Sequence, residues 1–480
     1  MASMVEWMTP LRQPVAGHGS LSKMASKVWT MDRRSLSSNT GYVPQTLTLF
    51  EAAGFEKLIK PGDVVAIKLH CGEWNNSAYL RPVYARAVAD EVKRLGGRPF
   101  VCDTTTMTYG PKASRVIAPD LMLTAERNGY NSASLGCPFL SADGFNGTDD
   151  VRIPLPEGYI LNEAYVAKAI ALADVMIALT HFKGHPMGVI GGAVKNLGIG
   201  CQSKRGKYNV HMGGHPDFGF PGVAEWHPEN VTEGFKEMVP GICIHEAYSR
   251  QNGHVEWHPE RCRSCLGCAG AQMVSGAWTN TEDNYRAFNA ACADACLAVT
   301  KALDGKIAYL NLGLDVSPKC DCLDHADLPV TPHLGIFAGY DPVAIDTACL
   351  DKVVELPGMP GSSAEDFGVE APGDRKLEMA ASMVPGSSEE TQLNTGVKNG
   401  LGTKDYELIE VPESDTDRFG FYDNRLVGIR YKSIYAKENP FPADRHGGTG
   451  FDRKRRSEID LDEVAGPRVT EPAGHAHHHH

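Results

Sequence analysis

Asp63-Val-Val-Ala-Ile-Lys-Leu-His70 is the stretch on which the architecture turns. It is a short apolar run with β-branched residues, preceded by Pro61-Gly62, and it reads as a buried strand. Upstream, Leu47 to Ile59 has helical spacing and stops at Pro61-Gly62. Downstream, Tyr79 to Leu95 is an amphipathic helix with Pro82 near its start and Gly96-Gly97 beyond its end. Arg98 to Asp103 then reads as a second strand. Further on, residues 163–173 are predicted helical and residues 174–180 (Asp-Val-Met-Ile-Ala-Leu-Thr) form another buried strand. The pattern resumes with a helix over Tyr285–Leu303, strands over Lys306–Leu312 and Leu334–Ala338, and a helix over Pro342–Val354. This alternation predicts an α/β fold, an open and mostly parallel sheet with helices on both faces.

Between about 184 and 284 the texture changes, as Gly, His, Pro and Cys crowd in and periodicity fades. The expected organisation follows. Residues 1–40 are an irregular arm and 41–250 the first part of the α/β domain, with a Gly/His-rich loop at 181–215. Residues 251–284 form a cysteine-rich, cluster-binding insertion, and 285–355 complete the α/β domain. Residues 356–480, rich in proline, glycine and charge, are expected to be a largely irregular C-terminal extension ending in a His-rich tail or tag.

The 480 residues carry a formal net charge of −12, which argues against a broad nucleic-acid surface. No apolar run of 18 or more residues appears, so no membrane span is expected, and the expected location is the cytoplasm. Thirteen cysteines are present, an odd number, so complete pairing within one chain is impossible. In a reducing compartment their C-x-x-C and C-x-C spacings point to metal ligation.

Cys262-Arg-Ser-Cys265-Leu-Gly-Cys268 is the strongest motif. C-x2-C-x2-C aims three thiolates at a common centre and is three quarters of the ferredoxin run C-x2-C-x2-C-x3-C-P, which points to one [4Fe-4S] cluster. The fourth place holds Gln272, so a ligand comes from elsewhere or one iron stays open. Cys320 and Cys322 are the favoured source, followed by Cys292, Cys296 and Cys201. A structural zinc site is the competing reading, but zinc favours paired C-x2-C knuckles separated by a spacer.

A second group, His181 to Cys201, follows the strand 174–180. Ligands bind beyond the carboxyl ends of strands in open α/β sheets. Glycines let backbone N–H groups approach an anion, and Lys183, Lys195, Arg205 and Lys207 add positive charge. His181, Lys183 and His185 are candidate catalytic residues; Lys195, Asn196, Arg205, Lys207 and His211 are candidate binders of a small anionic substrate. His70 and Glu73, at the end of an earlier strand, are a candidate acid–base pair. The stretch is neither a P-loop nor G-x-G-x-x-G, and no flavin or nicotinamide fingerprint is visible, although flavin sites often lack one and a flavin stays open as a second cofactor.

Several stretches together resemble the prokaryotic domain-of-unknown-function 362 iron–sulfur proteins. They include Ile67-Lys-Leu-His-Cys-Gly-Glu73, Cys102-Asp-Thr-Thr-Thr106, Thr180-His-Phe-Lys-Gly-His185, Gly191-Gly-Ala-Val-Lys-Asn-Leu-Gly-Ile-Gly-Cys201, the cluster loop, Val316-Ser-Pro-Lys-Cys-Asp-Cys322 and Asp341-Pro-Val-Ala-Ile-Asp346. The resemblance implies an α/β domain carrying a ferredoxin-like insert. Relatives look like two-cluster proteins, whereas this chain keeps one C-x2-C-x2-C and no second copy.

The expected function is an iron–sulfur oxidoreductase acting on a small anionic substrate, served by a redox partner protein. The alternatives are a lyase- or hydratase-type enzyme using an open iron as Lewis acid, and a ferredoxin-like carrier or assembly protein without a substrate of its own.

Overall fold

The computed structural model describes residues 25–107, 113–265, 267–268, 276–384, 386–413, 424–438 and 450–466. The chain divides into a large unit, Met1–Thr416, and a small one, Asp417–His480. The described part of the small unit holds a helix, Asn424–Lys437, and a short 3-10 turn, Arg456–Glu458.

The large unit is built on β1 (Ser26–Thr30), α1 (Tyr42–Ala52), β2 (Val64–Lys68), α2 (Pro82–Arg94), β3 (Arg98–Asp103), α3 (Ala118–Arg127), β4 (Phe139–Ser141), β5 (Val175–His181), α4 (Ala193–Gly200), α5 (Lys204–Val210), α6 (Glu282–Ala302), β6 (Ile307–Gly313), β7 (Gly335–Gly339), α7 (Pro342–Glu355), α8 (Thr391–Lys398) and β8 (Tyr406–Glu410). The eight strands form one sheet in the order β8-β1-β7-β6-β5-β2-β3-β4. Only β7 runs against its neighbours; the other pairings are parallel.

Why these runs form strands is clear from where their side chains go. Along β5, Val175, Ile177 and Leu179 enter one core, while Met176 and Ala178 enter the other. The same alternation divides Val65 and Ile67 from Ala66 on β2, and Ala308 and Leu310 from Tyr309 on β6. The first core is closed by α1, α2 and α3, the second by α4, α6, α7 and α8. A strand buried on both faces has no polar side to display, so it reads as a continuous apolar run.

Three expectations are corrected. Residues 163–167 are a strand, not a helix: they pair antiparallel with Asp150–Pro154, and helix occupies only Lys168–Ala171. Tyr165 and Val166 favour the pleated pairing. The α/β domain does not end at 355, because α8 packs into the second core and β8 extends the sheet alongside β1. β1 itself lies inside the segment expected to be an irregular arm. No helix among the described residues is long and apolar enough to cross a membrane.

The chain moves outward from β2 through β3 to β4, then returns to β5 on the other side of β2 and moves the opposite way. The strand order therefore reverses between β2 and β5. That is where an open α/β sheet leaves a crevice at its carboxyl edge, and His70 and His181 stand on the chain just there.

A buried carboxylate pins the far side. Asp294, on α6 and fully buried, accepts hydrogen bonds from the backbone of Tyr159 (2.8 Å), Ile160 (2.7 Å) and Leu161 (2.9 Å) and from Asn399 Nδ2 (2.9 Å). Asp294→Ala strands these donors and is expected to cost about 2–3 kcal/mol. Urea denaturation tests this: an unchanged midpoint would mean that the donors find other partners.

Candidate functional site

Charged side chains gather at the carboxyl ends of β2, β3 and β5, and most of them are already paired. Lys68 Nζ lies 3.1 Å from Asp103 Oδ1 and donates to Leu69 O (2.6 Å) and Asn196 Oδ1 (3.1 Å). Burial alone would push the Asp103 carboxyl up, but Lys68 beside it holds it well below the usual range. Burial also keeps His70 neutral, with its pKa below the ordinary value, and its Nδ1 accepts the Gly72 N–H at 3.1 Å.

Glu73 does not serve as a free acid beside His70. It is buried against Arg115 (3.2 Å), and the backbone of Trp74 and Ser114 donates to it. Its own N–H reaches Asp321 O at 2.7 Å, and Asn76 Nδ2 reaches Leu323 O at 3.0 Å. Glu73 and Asn76 thus clamp the 321–325 loop against the end of β2.

At the end of β5, Asp321 is the centre. His181 Nδ1 lies 3.0 Å from each Asp321 oxygen, and Nε2 lies 2.7 Å from Leu314 O. Both ring nitrogens are thus engaged by acceptors within the protein. Lys183 Nζ binds His181 O (2.9 Å) and Asp321 Oδ2 (3.1 Å). Burial opposes the Asp321 charge, and His181 and Lys183 beside it outweigh that opposition.

His185 is fixed differently. Its Nδ1 accepts the N–H groups of Met187 (3.1 Å) and Gly188 (2.7 Å), so the ring proton sits on Nε2. Burial, with Lys195 adding to it, lowers its pKa to about 4, which keeps the ring neutral. Nε2 lies 3.7 Å from Cys322 Sγ, which makes His185 a donor to sulfur. The ligand atoms of His185, Cys320 and Cys322 all lie within 4.8 Å of one another. For His185 to bind a metal through Nε2, its proton would have to move to Nδ1, against two backbone donors. The turn that supplies these donors holds Val189 at φ 61°, a strained value for a β-branched residue.

Cys320 is the thiolate of the pair. Burial would raise its pKa, but Cys322, Lys195 Nζ at 3.8 Å and His185 hold it well below the ordinary cysteine value. The Cys322 N–H also points at this sulfur, 3.3 Å away. Cys322 stays protonated, because hydrogen bonding to Cys320 and burial both raise it.

The glycine-rich stretch expected to cradle an external anion already holds an internal one. Asp346, on α7, accepts the N–H groups of Ala193 (2.7 Å) and Val194 (2.9 Å) at the start of α4, together with Asn311 Nδ2 (2.7 Å). A Cβ on Gly192 would collide with that carboxylate, which explains the glycine. Arg205 also stands apart from the strand ends: it is 3.3 Å from Asp150, lies over the Tyr165 ring and is largely exposed. Asn196 serves Lys68 and Thr180 (2.9 Å).

Two of the expected substrate binders keep spare capacity. Lys207 Nζ, buried, donates to Thr104 Oγ1 (2.7 Å) and Gln202 O (2.6 Å), and no carboxylate lies within ion-pair distance among the described residues. Burial lowers its pKa to about 8. His211 donates from Nδ1 to Lys207 O (2.8 Å), which leaves the Nε2 lone pair open, and burial lowers it to about 3.

The cysteine loop lies in a third, aromatic core with Phe220, Phe235, Tyr248, Trp257 and Trp278. Ser264, at φ 52° and almost fully buried, accepts the Phe220 N–H (2.9 Å) and fixes the turn between Cys262 and Cys265. Tyr248 Oη lies 3.2 Å from Cys268 Sγ. Burial raises Cys262 to about 11 and Cys268 to about 12, so both need a bound cation to ionise near neutrality. The three sulfurs do not all lie within 4.8 Å of one another. A lone tetrahedral zinc would draw them to about 3.8 Å, given Zn–S of about 2.3 Å. The structure does not bring Cys320 and Cys322 to this loop. Cys292, Cys296 and Cys201 belong to the second sheet core, and Gln272 lies outside the described residues. The sequence reading missed Cys243, which packs with the loop and has no spacing signature to mark it.

The family model described as domain of unknown function (DUF362) matches residues 65–351. A thylakoid-associated protein from Synechocystis sp. is 28% identical over 232 residues, which cover 47% of this chain and 64% of that protein. The chain therefore spans less than two thirds of that relative. The apoprotein of lactate racemase from Thermoanaerobacterium thermosaccharolyticum aligns over 70% of this chain and 59% of its own, with a TM-score of 0.36 and 13% identity.

Lys195→Met removes the cation facing Cys320. It is expected to move the ionisation of this thiol up by about 1–3 pH units. Ultraviolet thiolate absorbance followed against pH checks this; an unmoved curve would mean that another group holds the charge.

Proposed function

The chain belongs to the domain-of-unknown-function 362 family, and from that premise we propose that it is an iron–sulfur oxidoreductase acting on a small anionic substrate at the carboxyl ends of β2, β3 and β5. One observation carries the proposal: Cys320 Sγ lies 3.8 Å from Lys195 Nζ, a buried thiolate–ammonium pair beside the point where the strand order reverses. A thiolate held this way is electron-rich at neutral pH and poised for redox or nucleophilic chemistry.

Cys262, Cys265 and Cys268 would hold the cluster, which supplies electrons one at a time when bound. The aromatic core around them fits that role, because buried Trp278 Nε1 has no hydrogen-bond partner among the described residues and would suit a sulfide acceptor. A redox partner protein would deliver the electrons.

The chain's own residues divide the remaining work. Lys207, without a carboxylate partner among the described residues, orients an anionic group of the substrate. His211 offers its Nε2 lone pair as an acceptor to a substrate N–H or O–H, its other nitrogen being fixed on Lys207 O. His185 donates from Nε2 to the Cys320–Cys322 pair and steadies its charge. Asp321, His181 and Lys183 hold the loop that carries the two thiols. Lys183 and Lys195 are positioning groups in this scheme, since their charges are matched within the protein.

Anaerobically purified protein is expected to contain iron and acid-labile sulfide and to give a reducible paramagnetic signal; a redox-silent metal centre would overturn the proposal. The anion subsite has its own test, with sulfate as probe. An ammonium binds the anion and a neutral amine does not, so sulfate affinity should fall as pH rises through about 8. Lys207→Met should weaken binding about tenfold and flatten that dependence. Titration calorimetry reads both, and pH-independent binding would exclude Lys207.

A further inference from the structure

We infer that Cys243 supplies the fourth thiolate of the cluster held by Cys262, Cys265 and Cys268, an assignment that rests on the iron–sulfur reading above. Residues 269–275 (Ala-Gly-Ala-Gln-Met-Val-Ser) contain no thiol, imidazole or carboxylate, so the segment after the loop has no conventional ligand to give. The other cysteines with a packing assignment are committed elsewhere. Cys102, Cys201, Cys292, Cys296 and Cys349 lie in the second sheet core, and Cys71 and Cys137 in the first. Cys320 and Cys322 sit with His185 and Lys195. Cys243 alone joins Cys262 and Cys268 in the aromatic core.

Cys243 follows the helix Glu233–Ile242 and begins the turn into the hairpin of Tyr248–Gln251 with His254–Trp257. It packs against the same aromatic core as Cys262, Cys268 and Tyr248. Its sulfur accepts the Ala247 N–H at 3.4 Å.

A second, independent observation points to a ligand. Two buried nitrogens in this region have no hydrogen-bond partner among the described residues: His245 Nε2, two positions after Cys243, and Trp278 Nε1, whose residue is only 3% exposed. Orphaned buried polar nitrogens are rare in native proteins and require an explanation. The sulfides of an inorganic core are acceptors that would satisfy them. Four thiolates complete the coordination of a [4Fe-4S] core, which leaves no open iron. The cluster then acts in electron transfer, and the substrate chemistry belongs to the strand-end site.

The test uses the full chain, reconstituted anaerobically, as wild type, Cys243→Ala and Cys243→Ser. The wild type should carry about four irons and four sulfides per chain. Cys243→Ala should fall to about three irons with the paramagnetic signature of an oxidised three-iron cluster, and Cys243→Ser should keep iron with an altered signal. A wild type with its full iron and a Cys243→Ala variant identical to it would overturn this assignment and leave the iron–sulfur reading standing. A wild type without iron or sulfide would overturn both. If the variants fail to fold, alkylation of native wild-type protein decides. Cys243 should be protected together with Cys262, Cys265 and Cys268, and all four should become reactive once a chelator strips the iron. Cys243 alkylated while the other three stay protected would refute the assignment.

Discussion

A sulfur that is to be ionised inside a protein needs a matching positive charge, and this molecule meets that requirement in two ways. At the strand ends the match is built into the chain, with Lys195 at 3.8 Å from Cys320. In the cysteine loop the groups acting most on the Cys262 and Cys268 sulfurs are the other thiols, Tyr248 and Trp257, while the nearby Arg263 guanidinium donates to the Cys262 carbonyl. Isolated thiolates there would be costly. A metal core reverses that cost, since its irons supply the charge and its sulfides supply acceptors for the indole and imidazole nitrogens. One physical constraint therefore separates a thiolate kept ready for chemistry from thiols kept for a cofactor.

The sheet makes the first arrangement possible. Because the strand order reverses between β2 and β5, the loops after Lys68 and His181 diverge, and the 315–325 segment after β6 folds back over them. Glu73 and Asn76 grip that segment from one side, and His181 and Lys183 from the other. Asp321 sits between the two thiols in sequence and takes up the charges of His181 and Lys183. The dithiol is thus placed by separate pairs, Arg115 with Glu73, Lys183 with Asp321 and Lys195 with Cys320, and by the Glu73 N–H on Asp321 O. Breaking one pair would leave its partner buried and uncompensated, which is why such networks are costly to disturb.

How much of this was legible in the sequence follows from the physics of each part. Residues 63–70, 98–103 and 174–180 read correctly as strands because both of their faces are buried. Tyr406–Glu410 escaped notice because an edge strand carries charge, as Glu407 and Glu410 do. Residues 163–167 were misread because four or five residues do not fix a period, and their partner strand decides the conformation. In the site, residue types and positions were visible but their pairing was not. Lys183 and Asp321, Lys195 and Cys320, and Gly192 and Asp346 are each more than a hundred positions apart. Spacing along the chain cannot say that a lysine is already neutralised or that a glycine-rich turn already holds a carboxylate. Cys243 was hidden for the same reason.

The central claim, that the loop thiols hold an iron–sulfur core, is tested most directly by X-ray absorption at the metal edge of anaerobically isolated protein. The account predicts an iron edge with a sulfur shell and a second, iron–iron scattering shell. A zinc edge with a single shell of four sulfurs at about 2.3 Å and no metal–metal scattering would contradict it.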